Sequence, residues 1–140
     1  MRNWIKRITK KVLENTGKEG EQQVKILIVE DNKDLLETIS ETLKDEGYNV
    51  ISALDGYEAI ERVKEGGVKI IIMDLKLPRM DGMETYRAIK KIEPTAVTVM
   101  MTGYAASDMA NEAISEGAYG ILQKPFETDE LLNMIKNITG

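Results

Sequence analysis

The chain has 140 residues, 42% hydrophobic and 31% charged, the balance of one ordinary soluble domain with a single core. It contains neither Cys nor His, which excludes disulfides, thiolate nucleophiles, imidazole catalysis and His-ligated metals. A net charge of −5 argues against general nucleic-acid binding, since phosphate contacts need a basic surface.

The charge is unevenly spread. Residues 1–24 hold six Lys/Arg against three Glu, about +3, which leaves about −8 on the remainder. In "MRNWIKRITKKVLEN", Met1, Trp4, Ile5, Ile8 and Val12 fall within an arc of roughly 100° on a helical wheel, with Arg2, Lys6 and Lys10 opposite. This pattern predicts a short basic amphipathic helix, marginal alone in water. Three partners suit it: an apolar groove on its own domain or on a second copy in a homodimer, a partner protein, or an anionic membrane surface. A disordered tail is the remaining alternative. The polar, Gly-containing stretch "NTGKEGEQQ" (15–23) reads as a linker, so the boundary is set between segment 1–23 and a domain at 24–140.

From Val24 onward, strands and helices alternate. "VKILIV" (24–29) predicts a buried strand, and 34–47 a helix with Leu35, Leu36, Ile39 and Leu43 on one face, Asn32 as N-cap and Gly47 as its stop. "NVISA" (49–53) is a second strand, 56–67 a helix closed by glycines, and "VKIIIMD" (68–74) a third strand. A helix over about 82–92 ends before Pro94, and "AVTVMMT" (96–102) is strand four. Residues 105–116 predict a helix with Met109, Ala113 and Ile114 inward; "YGILQ" (119–123) is strand five. The last helix, 128–138, starts at Thr128 or Asp129 and turns Leu131, Leu132, Ile135 and Ile138 inward.

Five mostly apolar strands separated by five helices predict an α/β doubly wound, five-stranded parallel sheet covered on both faces. In such folds ligands bind beyond the carboxyl ends of the strands. There the chain places Glu30-Asp31, Asp74, Thr102 and Lys124. A lone carboxylate at a strand end is usually a cap or a solvated loop residue. Three together repel one another, and a hard divalent cation such as Mg²⁺ offsets that repulsion. Asp74 then becomes a candidate nucleophile toward phosphorus, with Thr102 and Lys124 to position and neutralise a phosphoryl group.

"ILIVEDN", "IIIMDLKLPRMDG", "VMMTGYA" and "GILQKPF" stand in this order and spacing over about Val24–Ile138. In them the chain resembles the receiver domain of two-component response regulators. The resemblance implies a flavodoxin-like sheet of order 2-1-3-4-5 with Asp74 as phospho-acceptor. It implies Mg²⁺ held by Asp31, Asp74, the main-chain carbonyl of Lys76 and, through water, Glu30. Thr102 would bind a phosphoryl oxygen, Lys124 would pair with the phosphate, and a cis Lys124–Pro125 bond would aim that lysine. The implied partners are a histidine kinase or histidine phosphotransfer protein and a downstream protein target.

Three positions depart from the commonest family pattern. Ile121 stands where an aromatic switch residue is usual, so the ordinary inward swing of a ring has no counterpart; Tyr119 is the nearest substitute. Lys76 and Tyr104 flank the site and are expected to influence how fast an acyl phosphate hydrolyses. Output is therefore expected through the loop at Gly103-Tyr104 and the N-terminal helix.

The expected function is a stand-alone phosphorylation-dependent signalling module that catalyses only its own phosphorylation and dephosphorylation, since the chain ends one helix after strand five. A phosphohydrolase with an aspartyl nucleophile would carry a second Asp where Lys76 stands. A pseudo-receiver, binding partners without phosphorylation, would have lost one of the acids. A flavodoxin-like redox role lacks a phosphate loop after strand one. With no membrane span of roughly 20 apolar residues and no secretory signal, the expected location is the cytoplasm.

Overall fold

Ile70, Ile71, Ile72 and Met73 are all buried, and successive side chains of a strand leave opposite faces of its sheet. Such a strand needs cover on both sides. A computed structural model, which describes residues 23–140, shows that cover. The elements are β1 (Lys25–Val29), α1 (Lys33–Asp45), β2 (Asn49–Ala53), α2 (Gly56–Lys64), β3 (Val68–Asp74), α3 (Gly82–Ile92), β4 (Val97–Thr102), α4 (Asp108–Ser115), β5 (Gly120–Gln123) and α5 (Thr128–Thr139). All pairings are parallel and the strand order is β2-β1-β3-β4-β5, the expected doubly wound arrangement. The amphipathic helix expected near the N-terminus lies outside the described residues.

Alternation sorts the core into two layers. Leu27, Val29, Ile71, Met73 and Met100 pack toward α2, α3 and α4, meeting Ala59, Val63, Met83, Ile89 and Ala113. Ile26, Ile28, Ile70, Ile72, Val99 and Met101 pack the other way, against Ile39 and Leu43 of α1 and Leu131 and Ile135 of α5. Full burial of each such side chain stabilises by about 1.5–3 kcal/mol, so both layers are strongly specified.

The helices start where the strands end. Asn32, Asp55, Asp81 and Ser107 each accept a hydrogen bond from the backbone N–H three residues on, capping α1 to α4. At the far end of α1, Gly47 takes φ +95°, a left-handed conformation that glycine adopts without a Cβ penalty.

Two local expectations need correction. α4 begins at Asp108 rather than at 105, because Ser107 caps it after a turn in which its N–H donates to Tyr104. Ile114 faces solvent, while Ala110 and Ala113 meet the sheet; a face of small residues lets α4 sit close, and Ile114 is rotated off it. α5 starts at Thr128, as expected, with Glu127 before it as cap, its N–H donating to the Glu130 carboxylate at 3.2 Å.

Candidate functional site

Glu30 and Asp31 follow β1, Asp74 ends β3, Thr102 ends β4 and Lys124 follows β5. Because β1 and β4 flank β3, these residues converge on one edge of the sheet. Carboxylate oxygens of Glu30, Asp31 and Asp74 lie within 4.8 Å of one another. Glu30 is 1% exposed and Asp74 6%, whereas Asp31 is open to solvent. Lys124 Nζ bridges the two buried acids, donating to Glu30 Oε1 at 2.6 Å and to Asp74 Oδ2 at 2.7 Å.

Burial pushes the Glu30 carboxyl above the usual range, partly opposed by its bonds from Lys124 and the Asn32 N–H. Burial also works against the Lys124 charge, yet the hydrogen bonds to Asp74 and Glu30 outweigh it and hold the ammonium above its ordinary value. With every group ionised, the three acids and one ammonium leave a charge of −2.

The second oxygen of Asp74 is also held. Oδ1 accepts the Lys76 N–H at 2.9 Å, so the carboxylate is oriented from two sides. Beyond it, Leu75 N–H donates to the Met101 carbonyl at 2.9 Å and Gly82 N–H to the Leu75 carbonyl at 2.9 Å. Gly82 has to be glycine. A Cβ there would lie 2.6 Å from Leu75 Cα and 2.7 Å from the Asp74 carbonyl oxygen, both backbone atoms that cannot step aside.

Thr102 is buried beside this cluster but engaged with its own loop: its Oγ1 accepts the Tyr104 N–H at 3.1 Å. Lys124 N–H donates to the Thr102 carbonyl at 2.7 Å, tying the β4 and β5 ends together. The Lys124–Pro125 peptide is cis, as expected. The Lys76 side chain is solvent-facing.

The loop between β3 and α3 holds a feature the sequence reading missed. Arg79 has φ +67°, and Met80 N–H donates to the Pro78 carbonyl at 2.7 Å, which closes the strained form of the three-residue γ-turn on Arg79. A non-glycine residue held there stores about 1–3 kcal/mol. Its guanidinium pairs with the Asp55 carboxylate and lies 5.5 Å from the Tyr57 ring centroid. Asp55 itself caps α2, accepting the Glu58 N–H at 2.8 Å. An Asp before "GYEAIERVK" signals a cap; nothing local signals its pairing with a residue 24 positions on.

The family model for the response regulator receiver domain matches residues 26–136. The chain belongs to that family. It is 33% identical over 112 residues to sporulation initiation phosphotransferase F of Bacillus subtilis, covering 80% of this chain and 90% of that one. It is 36% identical over 110 residues to the transcriptional regulatory protein ZraR of Klebsiella oxytoca, of which it spans only 25%. Among solved structures, it superposes with TM-score 0.76 and 28% identity on the receiver domain of a sensor histidine kinase from Pseudomonas aeruginosa, covering 83% of this chain and 97% of that one. That structure has a magnesium ion coordinated in its active-site cleft.

The receiver's own residues fit such an ion. Every donor is a carboxylate or carbonyl oxygen, as a hard cation prefers. The 4.8 Å spread of the acids is close to the span of about 4 Å across an octahedral Mg²⁺ shell. The site's −2 charge matches one divalent cation.

The positions that depart from the family pattern are also placed. Ile121 is half-buried, packed against the layer beneath α2 to α4. Tyr119 is 48% exposed and Tyr104 66% exposed, so both rings stand out from the body. Among the described residues, no helix is long and apolar enough to cross a membrane.

Proposed function

We propose that this receiver takes a phosphoryl group onto Asp74 from a histidine kinase or histidine phosphotransfer protein, and signals by changed protein contacts or onward phosphotransfer. The observation that carries the reading is the two-sided hold on the Asp74 carboxylate, by Lys124 Nζ on Oδ2 and Lys76 N–H on Oδ1, inside a cluster of three acids. One oxygen of Asp74 would form the bond to phosphorus as the bond to the donor atom breaks. Little covalent chemistry is asked of the protein, so positioning and charge neutralisation supply most of the effect.

Glu30, Asp31, Asp74 and the Lys76 carbonyl would hold Mg²⁺, which when bound neutralises charge on the phosphoryl oxygens. Lys124 would move its contacts from carboxylate to phosphoryl oxygen without changing its charge, since its ammonium is held above the ordinary value. The Thr102 hydroxyl accepts the Tyr104 N–H at 3.1 Å and donates to the Tyr104 carbonyl at 3.5 Å; exchanging that long donor contact for a phosphoryl oxygen would draw the Gly103-Tyr104 loop inward. With Ile121 in place of a ring, that loop is the available route of output. The only catalysis proposed is that of the chain's own phosphorylation and dephosphorylation.

The similarity to the Bacillus phosphotransferase, matched over 90% of its length, supports the relay form of this reading. The alternative of a non-phosphorylated interaction module is less well supported, because Glu30, Asp31, Asp74 and Lys124 are all present and converge.

Incubation with acetyl phosphate or phosphoramidate and Mg²⁺ should add one phosphoryl mass, lost in mild alkali and absent from Asp74→Asn. Label that persists undiminished in Asp74→Asn would remove the assignment.

A further inference from the structure

Arg79 lies outside the cluster of acids, yet it is the described non-glycine residue held at positive φ, and it sits three residues past Lys76. Strain of this kind relaxes unless the surroundings over-determine it. Three contacts do so here. Asp55 pairs with the guanidinium from the start of α2, Tyr57 lies under it, and the Met80 side chain would meet a Cβ on Gly56 at 3.1 Å, so loop and helix start are closely packed. Asp55 is also nearly buried and anchored by the Glu58 N–H, which makes it a fixed post rather than a drifting surface charge.

The loop so held runs from Leu75 to Asp81. It carries the Lys76 N–H that orients Asp74 Oδ1, and its far end is locked by the Gly82 N–H on the Leu75 carbonyl. A change in the Arg79 turn therefore has few places to go other than the Lys76 peptide. We propose that Arg79 is a positioning residue: clasped by Asp55 and Tyr57, it holds the γ-turn that presents the Lys76 peptide to Asp74 and to the metal. The inference rests on the Mg²⁺ site proposed above.

The clasp and the turn can be separated by substitution. Arg79→Ala removes the clasp and keeps a Cβ in the left-handed turn. Arg79→Gly removes the clasp but takes the turn without strain. Arg79→Lys keeps the charge opposite Asp55. Asp55→Asn keeps a good cap for α2 and removes the charge that Arg79 pairs with.

Mg²⁺ affinity is measured by calorimetric titration of each full-length variant at matched ionic strength, with urea denaturation alongside. Arg79→Ala should weaken Mg²⁺ binding about threefold to tenfold, at the low end for a residue acting behind a ligand. Asp55→Asn should weaken it to a similar degree, and the double variant Asp55→Asn/Arg79→Ala no further than either alone. Arg79→Gly and Arg79→Lys should each recover part of the loss. Phosphorylation by acetyl phosphate should need correspondingly more Mg²⁺, while the half-saturating concentration of acetyl phosphate at saturating Mg²⁺ stays unchanged. A residue needed only for folding would lower the urea midpoint without this ordered pattern.

Mg²⁺ affinities for Arg79→Ala and Asp55→Asn equal to the wild type would overturn the clasp while leaving the proposed function standing. Additive losses in the double variant would overturn it as well. A wild-type protein that neither binds Mg²⁺ nor takes the phosphoryl group would end both readings.

Discussion

Lys124 donates to Asp74 Oδ2 at 2.7 Å across 50 residues of sequence, and the same ammonium reaches Glu30 at 2.6 Å. One cation thus balances part of the repulsion between two buried acids. Lys124→Met should destabilise the metal-free protein by about 1–3 kcal/mol at neutral pH, less than for a fully buried pair. The discount follows from Lys124 being 24% exposed and from Glu30 being able to take up a proton. The Lys124 value is raised in the folded state, so its contribution is complete below the unfolded value of 10.5 and is lost as pH rises through the higher folded value. Urea midpoints of wild type and variant should therefore stay apart across neutral pH and converge only in alkali. Convergence already at pH 8 would contradict this role.

Asp31 is the exposed member of the acidic cluster, so its removal disturbs packing little. Asp31→Asn should weaken Mg²⁺ binding by about tenfold or more, whereas Glu61→Gln on the outer face of α2 should not change it. Titration of both variants at the same ionic strength decides; equal affinities would count against the site.

Gly82→Ala places a methyl group against the backbone of Asp74 and Leu75, at 2.6 and 2.7 Å. The start of α3 and the end of β3 cannot both stay where they are. A loss of about 2–4 kcal/mol in urea unfolding is expected, with a slower gain of phosphoryl mass. A variant as stable as the wild type would show that this approach is looser than the structure has it.

Asp55 is held below its ordinary value, first by the Glu58 N–H and then by Arg79. Its contribution is present above the unfolded value of 3.8 and lost as pH falls through the lower folded value. Asp55→Ala should cost about 1 kcal/mol at pH 7, the ordinary worth of a helix cap. The difference from wild type should shrink only below pH 3.8. A gap that closes near pH 6 would point to a different group.

Much of this receiver is legible along the chain, because its elements follow from local periodicity. Ile70 to Met73 read as a strand buried on both faces, and both layers of core are there. Asn32 reads as a cap, and caps α1. The strand-end positions of Glu30, Asp31, Asp74, Thr102 and Lys124 follow from parallel topology alone, since every strand then ends at one edge. The family is legible in a different way, through the resemblance of four motifs standing in register along the chain.

What periodicity does not carry is which long side chain reaches which partner. Lys124 bridging Glu30 and Asp74 depends on the strand order and on the depth of burial of each acid. Ile114 fits a helical face on paper but is exposed, because α4 turns Met109, Ala110 and Ala113 to the core and leaves Ile114 off that face. Arg79 leaves no local trace of its partners: the side chain of its left-handed turn meets Asp55 and Tyr57, which come from another loop. Backbone hydrogen bonding and side-chain period are properties of neighbours in sequence, whereas these contacts exist only once the layers have closed.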